Sequence, residues 1–325
     1  MGWQNASTHM RYGPRFRKHR RFAQQTFNQQ AIRHFRSLQH QELGILLNGM
    51  VDTPEAFLQS IRRYAAATIM KITYGHDVKS SDDLFVQLAE KAGTATIESG
   101  TPAATLVDFL PLMKYVPTWM PGAGFKRNAL KCRELVQRMM DVPFQKVKQD
   151  MENGIASPSF TSALLEPHIK AGENTLSKED ENDIRGAAGT LYAAAEDTTV
   201  SVMHTFILAM LLHPAVFQKA QAEMDQVVGQ ERLPTFEDLD SLPYLSCVLK
   251  EVYRWNVPVP LGLPHRLMED DVYQGNHIPQ GSMVIANIWA MSRNCASPDQ
   301  FYPERYVEEP DLPDPRNMVF GFGRR

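Results

Sequence analysis

Glu251 and Arg254 stand three residues apart in a stretch without glycine or proline, a spacing that sets their side chains beside each other on a helix and lets them pair. Taken alone, such a pair reads as a solvated surface ion pair. The run Ala194-Ala195-Glu196-Asp197-Thr198-Thr199 sets a threonine hydroxyl beside a carboxylate, behind small side chains. A hydroxyl so placed can hand on a proton, or it can bond back to its own preceding turn. Three further short runs carry polar chemistry: Pro264-His265-Arg266, Pro303-Glu304-Arg305-Tyr306, and Phe320-Gly321-Phe322-Gly323-Arg324-Arg325. Three cysteines, Cys132, Cys247 and Cys295, are widely spaced and odd in number, which argues against a disulfide framework or a structural zinc site and for a reducing compartment.

Other chemistries drop out by their missing signatures. There is no GxxxxGK[ST], no GxGxxG after a strand, no HExxH and no GxSxG. With 34 basic against 37 acidic residues, the net charge of −3 implies neither nucleic acid nor an acidic substrate. The distribution is uneven, since Arg11, Arg15, Arg17, Lys18, Arg20, Arg21, Arg33 and Arg36 all precede the first acid, Glu42. A 43% hydrophobic fraction in 325 residues is enough for a substantial core, in one large domain or two. The longest apolar stretch, Phe206 to Leu212, is far short of the ~18 residues of a membrane span, and the first 30 residues lack a signal peptide's apolar core.

The elements that position these residues are mostly helices. Thr53 as cap, Pro54 at the first position and Gly75 as the stop frame a helix with Phe57, Ile61, Ala65, Ile69 and Ile72 at helical spacing. Residues 102–124, broken by proline and glycine, read as a loop with short helical turns, and 126–151 as a helix. Residues 152–173 read as a helix end followed by connecting structure. From Ser177, with Asp180 three residues on, no proline intervenes until Pro214, which predicts the longest helix of the chain, up to about ten turns. Pro214 starts another, ended near Gly229. Thr235 and Asp238 repeat the capping pattern before a helix that carries Glu251 and Arg254 and ends at Asn256. Beyond Pro258 come short strands, 271–273 and 277–278 about a Gly275-Asn276 turn, then 283–286.

Together these motifs, in this order, resemble the cytochrome P-450 family of haem-thiolate monooxygenases, and most of all the fungal microsomal kind that includes the O-methylsterigmatocystin-oxidoreductase-like proteins. The family's [AG]-G-x-[DE]-T-[TS] on a long central helix is matched by Ala194 to Thr199, its ExxR by Glu251 and Arg254, its PER[FY] by Pro303 to Tyr306, and its FGxGxR by Phe320, Gly321, Gly323 and Arg325. Phe16 to Arg20 is similar to its WxxxR helix. The resemblance spans the whole chain. It implies a mainly α fold with a small β element in a single domain, 1–325, incomplete at both ends. It implies haem as cofactor, with Arg20, His265 and Arg325 on the propionates and Phe16, Ala194, Phe320, Gly321 and Gly323 at the cofactor. Thr198 and Asp197 then serve proton delivery, and Glu251, Arg254 and Arg305 a buried structural lock. It further implies a lipophilic small-molecule substrate, electrons from NADPH through NADPH cytochrome P-450 reductase, no nucleic-acid partner, and a full-length protein on the cytoplasmic face of the endoplasmic reticulum membrane. The 111–124 segment corresponds to the family's roof over the substrate pocket, or is an apolar loop packed on its own protein.

Departures from the pattern bear on the reading. The family's iron-ligating cysteine falls two positions past Arg325, so none of these residues is expected to bind the metal, and this chain is expected to be truncated and inactive. Phe16 replaces tryptophan, and Ala195 replaces glycine, which favours a regular helix by about 1 kcal/mol and works against a widened groove. The rival readings are a non-catalytic remnant or partner-binding scaffold, and electrostatic binding of nucleic acid or anionic membrane through residues 11–36. A haem Soret band favours the enzyme; salt-dependent retention on DNA favours the last.

Overall fold

The computed structural model describes residues 1–100, 106–170 and 176–323. It forms two compact units, Met1–Asp197 and Thr198–Arg325. The helices of the first are α1 (Pro14–Thr26), α2 (Arg36–Asp52), α3 (Phe57–Tyr74), α4 (Leu84–Glu98), α5 (Leu106–Phe109), α6 (Gly124–Glu152) and α7 (Phe160–Lys170), and α8 (Lys178–Leu212) begins in it and continues into the second. Gly75 ends α3 in the left-handed region at φ 71°, where a Cβ would also meet the Ser157 backbone oxygen at 2.9 Å. At the start of α4 the Asp83 side chain accepts from the Phe85 N–H at 2.8 Å.

Apolar residues at helical spacing meet in one cluster: Met70 of α3, Val86 and Leu88 of α4, Val136, Met139 and Phe144 of α6, Phe160 and Leu165 of α7, and Ile184 and Tyr192 of α8. Each such burial contributes ~1.5 to 3 kcal/mol, so this cluster fixes how α8 is held. Gly186 adds a close approach, since a Cβ there would lie 1.9 Å from the backbone oxygen of Asn5. Gly186→Ala is therefore expected to displace the N-terminal turns and cost about 1 to 3 kcal/mol. An unchanged urea midpoint would show that those turns are not seated on α8.

Three local expectations are corrected. Residues 152–170 are not merely connecting structure, because α7 runs through Pro167, and 171–173 lie outside the described residues; burial of Phe160 and Leu165 outweighs the broken hydrogen bond, and the Thr161 hydroxyl donates to the Thr73 carbonyl at 2.8 Å. Thr53 does not cap α3, for its hydroxyl donates back to Gly49 O at 3.0 Å and a 3-10 turn over Pro54–Ala56 intervenes. The Thr235/Asp238 box opens a 3-10 helix, Phe236–Ser241, rather than the helix carrying Glu251.

In the second unit, α9 (Pro214–Val227) and α10 (Pro243–Trp255) pack through Ala220, Tyr244, Val248 and Val252 with Phe301. The N-terminus of α10 is capped from α9, where the Glu223 carboxylate accepts from the N–H groups of Tyr244 and Leu245, each at 2.8 Å. Strand β1 (His265–Arg266) pairs antiparallel with β4 (Met283–Val284), and β2 (Asp271–Tyr273) with β3 (Asn276–Ile278). The β2–β3 turn is Gln274-Gly275, one residue earlier than the sequence predicts, with φ of 51° and 78°, the pair of left-handed residues that suits hairpin twist. Short helices α11 (Ile288–Ser292), α12 (Arg305–Glu308) and α13 (Arg316–Val319) complete the unit. The expected class, mainly α with a small β element, is what forms.

Candidate functional site

On α10, Glu251 and Arg254 face inward, and they are 0% and 2% exposed; Arg305 at the start of α12 is 2% exposed. Arg254 donates to both Glu251 oxygens, from Nε at 2.8 Å and Nη2 at 2.9 Å, and Arg305 Nε donates to Oε1 at 3.1 Å. The same Oε1 accepts from the Tyr302 N–H at 2.8 Å. One carboxylate thus serves two guanidiniums, and the surplus positive charge is met by backbone carbonyls: Pro298 and Gln300 accept from Arg254, Ala296 and Gln300 from Arg305. Burial works against the Arg254 charge, yet Glu251 holds the guanidinium above its usual pKa. The arrangement fastens the 296–302 loop to α10. Further along the chain, Phe320 meets the ring of Tyr253 on α10 edge to face at 5.6 Å.

On α8, Ala194 is exposed, Thr198 is half-buried, and Asp197 has a side chain 67% exposed. Their neighbour Glu196 points the other way and is 4% exposed. Arg62 of α3 donates to Glu196 Oε1 from Nη1 at 3.4 Å, and the same nitrogen is 3.9 Å from Asp197 Oδ1. Burial, and then the charge of Asp197, push the Glu196 carboxyl up to about 7, against the pull of Arg62 and a hydrogen bond with Tyr192. Glu196 entered the sequence reading only as a member of its motif. The signal present there was a charged residue inside a run of alanines.

Phe16 is half-buried on α1 and Arg20 is exposed, without a hydrogen bond or ion pair among the described residues. Its neighbours Arg15, Lys18 and His19 are engaged. Asp183 of α8, whose side chain is 0% exposed, takes Arg15 Nε at 2.5 Å, Lys18 Nζ at 2.7 Å and His19 Nε2 at 3.3 Å. The second ring nitrogen of the buried His19 lies 2.9 Å from the Ser7 hydroxyl. Burial alone would raise the Asp183 pKa, but Lys18, Arg15 and His19 hold it below the ordinary value of 3.8. Its contribution is therefore present above the usual carboxylate range and lost as pH falls beneath it. Asp183→Ala is expected to cost about 2 kcal/mol near neutral pH, less than a fully buried pair because Arg15 and Lys18 reach solvent. Urea midpoints at pH 7 check this, and equal midpoints for the two proteins would refute it.

His265 lies exposed on β1, and Phe320, Gly321 and Gly323 are exposed, with Gly321 at φ 85°. Arg325 lies outside the described residues. Cys132 and Cys247 are buried and Cys295 half-buried, all with free thiols. Among the described residues no three His, Cys, Asp or Glu side chains gather as a metal site. Within the second unit, the exposed His265 ring, which can donate to an anion, and the uncovered rings of Phe320 and Phe322 are residue types that suit a flat apolar group with an anionic edge.

The chain matches the family model described as Cytochrome P450 over residues 1–325. It is 44% identical over 324 residues to cytochrome P450 monooxygenase 136 of Postia placenta, covering 97% of this chain and 61% of that protein. It is 37% identical over 334 residues to tryptamine 4-monooxygenase of Psilocybe cyanescens, covering 100% of this chain and 65% of that one. In fold it is similar to a zebra fish cytochrome P450 solved with progesterone, at a TM-score of 0.73 and 21% identity, over 98% of this chain and 72% of that one. The chain thus spans 61% to 65% of the length of these two fungal relatives.

Proposed function

The chain belongs to the cytochrome P450 family, whose cofactor is haem, and from that premise we propose that it acts as a monooxygenase. It would insert one oxygen atom from O₂ into a lipophilic small molecule, with electrons from NADPH through NADPH cytochrome P-450 reductase. What carries the reading is the family match across all 325 residues. Haem, held by a cysteine thiolate in this family, supplies oxygen activation when bound. Arg20 and His265 would pair with its propionates, joined by Arg325, while Phe16, Ala194, Phe320, Gly321 and Gly323 supply the family's contact positions. Glu251, Arg254 and Arg305 keep the segment before Phe320 in place. The hydroxyl of Thr198 would hold and pass a proton supplied through Asp197.

The substrate class draws support from the name of one relative, tryptamine 4-monooxygenase, which refers to a small molecule. A place on the cytoplasmic face of the endoplasmic reticulum membrane draws support from Phe109, Leu110, Leu112, Tyr115 and Trp119, whose apolar side chains are all exposed. No single helix among the described residues is long and apolar enough to cross a membrane. The test is the reduced carbon monoxide spectrum of the protein carried on a chain of its relatives' length. A red-shifted, thiolate-type Soret band is expected. Failure to take up haem would overturn the proposal and favour the scaffold reading.

A further inference from the structure

We propose that Arg62 is a positioning residue for Asp197, and that the buried Glu196 competes with Asp197 for its guanidinium, so that protonation of Glu196 hands Arg62 over. The inference rests on Asp197 supplying protons to Thr198. Two consecutive carboxylates on α8 share one cation, and the same Arg62 nitrogen is the near partner of both, at 3.4 Å from Glu196 and 3.9 Å from Asp197. Neither distance is that of a tight ion pair, and because Glu196 is turned inward and Asp197 outward, closing on one carboxylate draws the guanidinium away from the other.

The surroundings decide which carboxylate holds it. Glu196 faces Arg62 from α3, Glu90 from α4, and Tyr192 and Asp197 from α8, so the charges around it are one cation and two further acids. The hydroxyl of Tyr192 also lies 3.3 Å from the Phe85 carbonyl, leaving Glu196 no undivided neutral donor. Alpha4 leaves room beside Asp197, since a Cβ at Gly93 would stand 3.7 Å from Asp197 Oδ2. An ionised Glu196, taken out of water, has the stronger need of Arg62. A protonated Glu196 has none, and the guanidinium is then free to close on Asp197. Burial sets the Glu196 titration near pH 7, so the exchange falls within the physiological range.

Arg62 on Asp197 fixes that side chain in place; Arg62 on Glu196 leaves it free to move between solvent and Thr198. Product formed per NADPH should accordingly show a step between about pH 6 and pH 8, centred on the Glu196 titration. The step should vanish in Glu196→Gln and persist in Arg62→Lys.

A second readout needs no turnover. In the haem-loaded protein on a chain of its relatives' length, double-mutant cycles on urea midpoints isolate each pair. Coupling of Arg62→Gln with Asp197→Asn is expected to be larger at pH 6 than at pH 8, and coupling of Arg62→Gln with Glu196→Gln larger at pH 8. Couplings that do not change with pH would overturn the exchange. An exchange accompanied by a product yield flat in pH would overturn the positioning role. Should Thr198→Ala leave product yield untouched, the proton-route reading fails by itself, while the midpoints still decide the exchange.

Discussion

Glu251→Ala is expected to lose about 3 to 5 kcal/mol of stability, the cost of removing one partner from a fully buried ionic group. The reason is what remains. Arg254 and Arg305 would face each other inside the second unit, both 2% exposed, with no anion between them, and the Tyr302 N–H would lose its acceptor. Their other hydrogen bonds go to backbone carbonyls of the 296–300 loop, which offset a cation's desolvation only in part. Against a typical stability of ~5 to 15 kcal/mol, the loss is large enough to release the loop and with it the segment leading to Phe320. Haem retention should therefore fail together with the urea midpoint. Glu251→Gln, which keeps volume and one acceptor, should fall between wild type and Glu251→Ala. If Glu251→Ala kept its midpoint and held haem while only turnover slowed, the structural role would be wrong.

The closeness of Glu251 and Arg254 follows from a spacing of three on a helix, but their burial does not. That depends on Arg305, 54 positions away from Glu251 in the chain, and on the carbonyls it brings. Elements bounded by glycine and proline were equally legible: Gly75 and Gly229 each follow a helix end in the left-handed conformation, and Pro214 opens α9. Alpha7 was hidden because Pro167 reads as a breaker, while the packing of Phe160 and Leu165 that retains it comes from other helices. Asp183 was hidden for the same reason, since its three partners Arg15, Lys18 and His19 lie on α1, more than 160 positions earlier. Glu196 meets Arg62 across 134 positions, and nothing local in an alanine run tells which way its carboxylate turns. Local chemistry is written in spacing; the electrostatic setting of a carboxylate is written in tertiary contacts.

Thr198→Ala carries the second large effect expected, and it falls on the use of electrons rather than on folding. Thr198 is half-buried near the middle of α8, next to an Asp197 open to solvent, with Ala194 and Ala195 about one turn before it. Its hydroxyl can accept a proton from one side and give it to the other, which a methyl group cannot do. A positioned proton donor is worth on the order of a hundredfold, and because water retains part of the route, product per NADPH is expected to fall about tenfold. Hydrogen peroxide should rise to match, while haem content and NADPH consumption stay near wild type. The substitution removes one hydroxyl from a half-buried helical position, so the urea midpoint should move by less than about 1 kcal/mol. Thr198→Ser, which keeps the hydroxyl and drops only the methyl, should restore most of the yield and separate proton transfer from packing. Equal product per NADPH in wild type and Thr198→Ala would show that protons arrive by a different path, and would leave the Thr198 hydroxyl as a helical threonine bonded to its own turn.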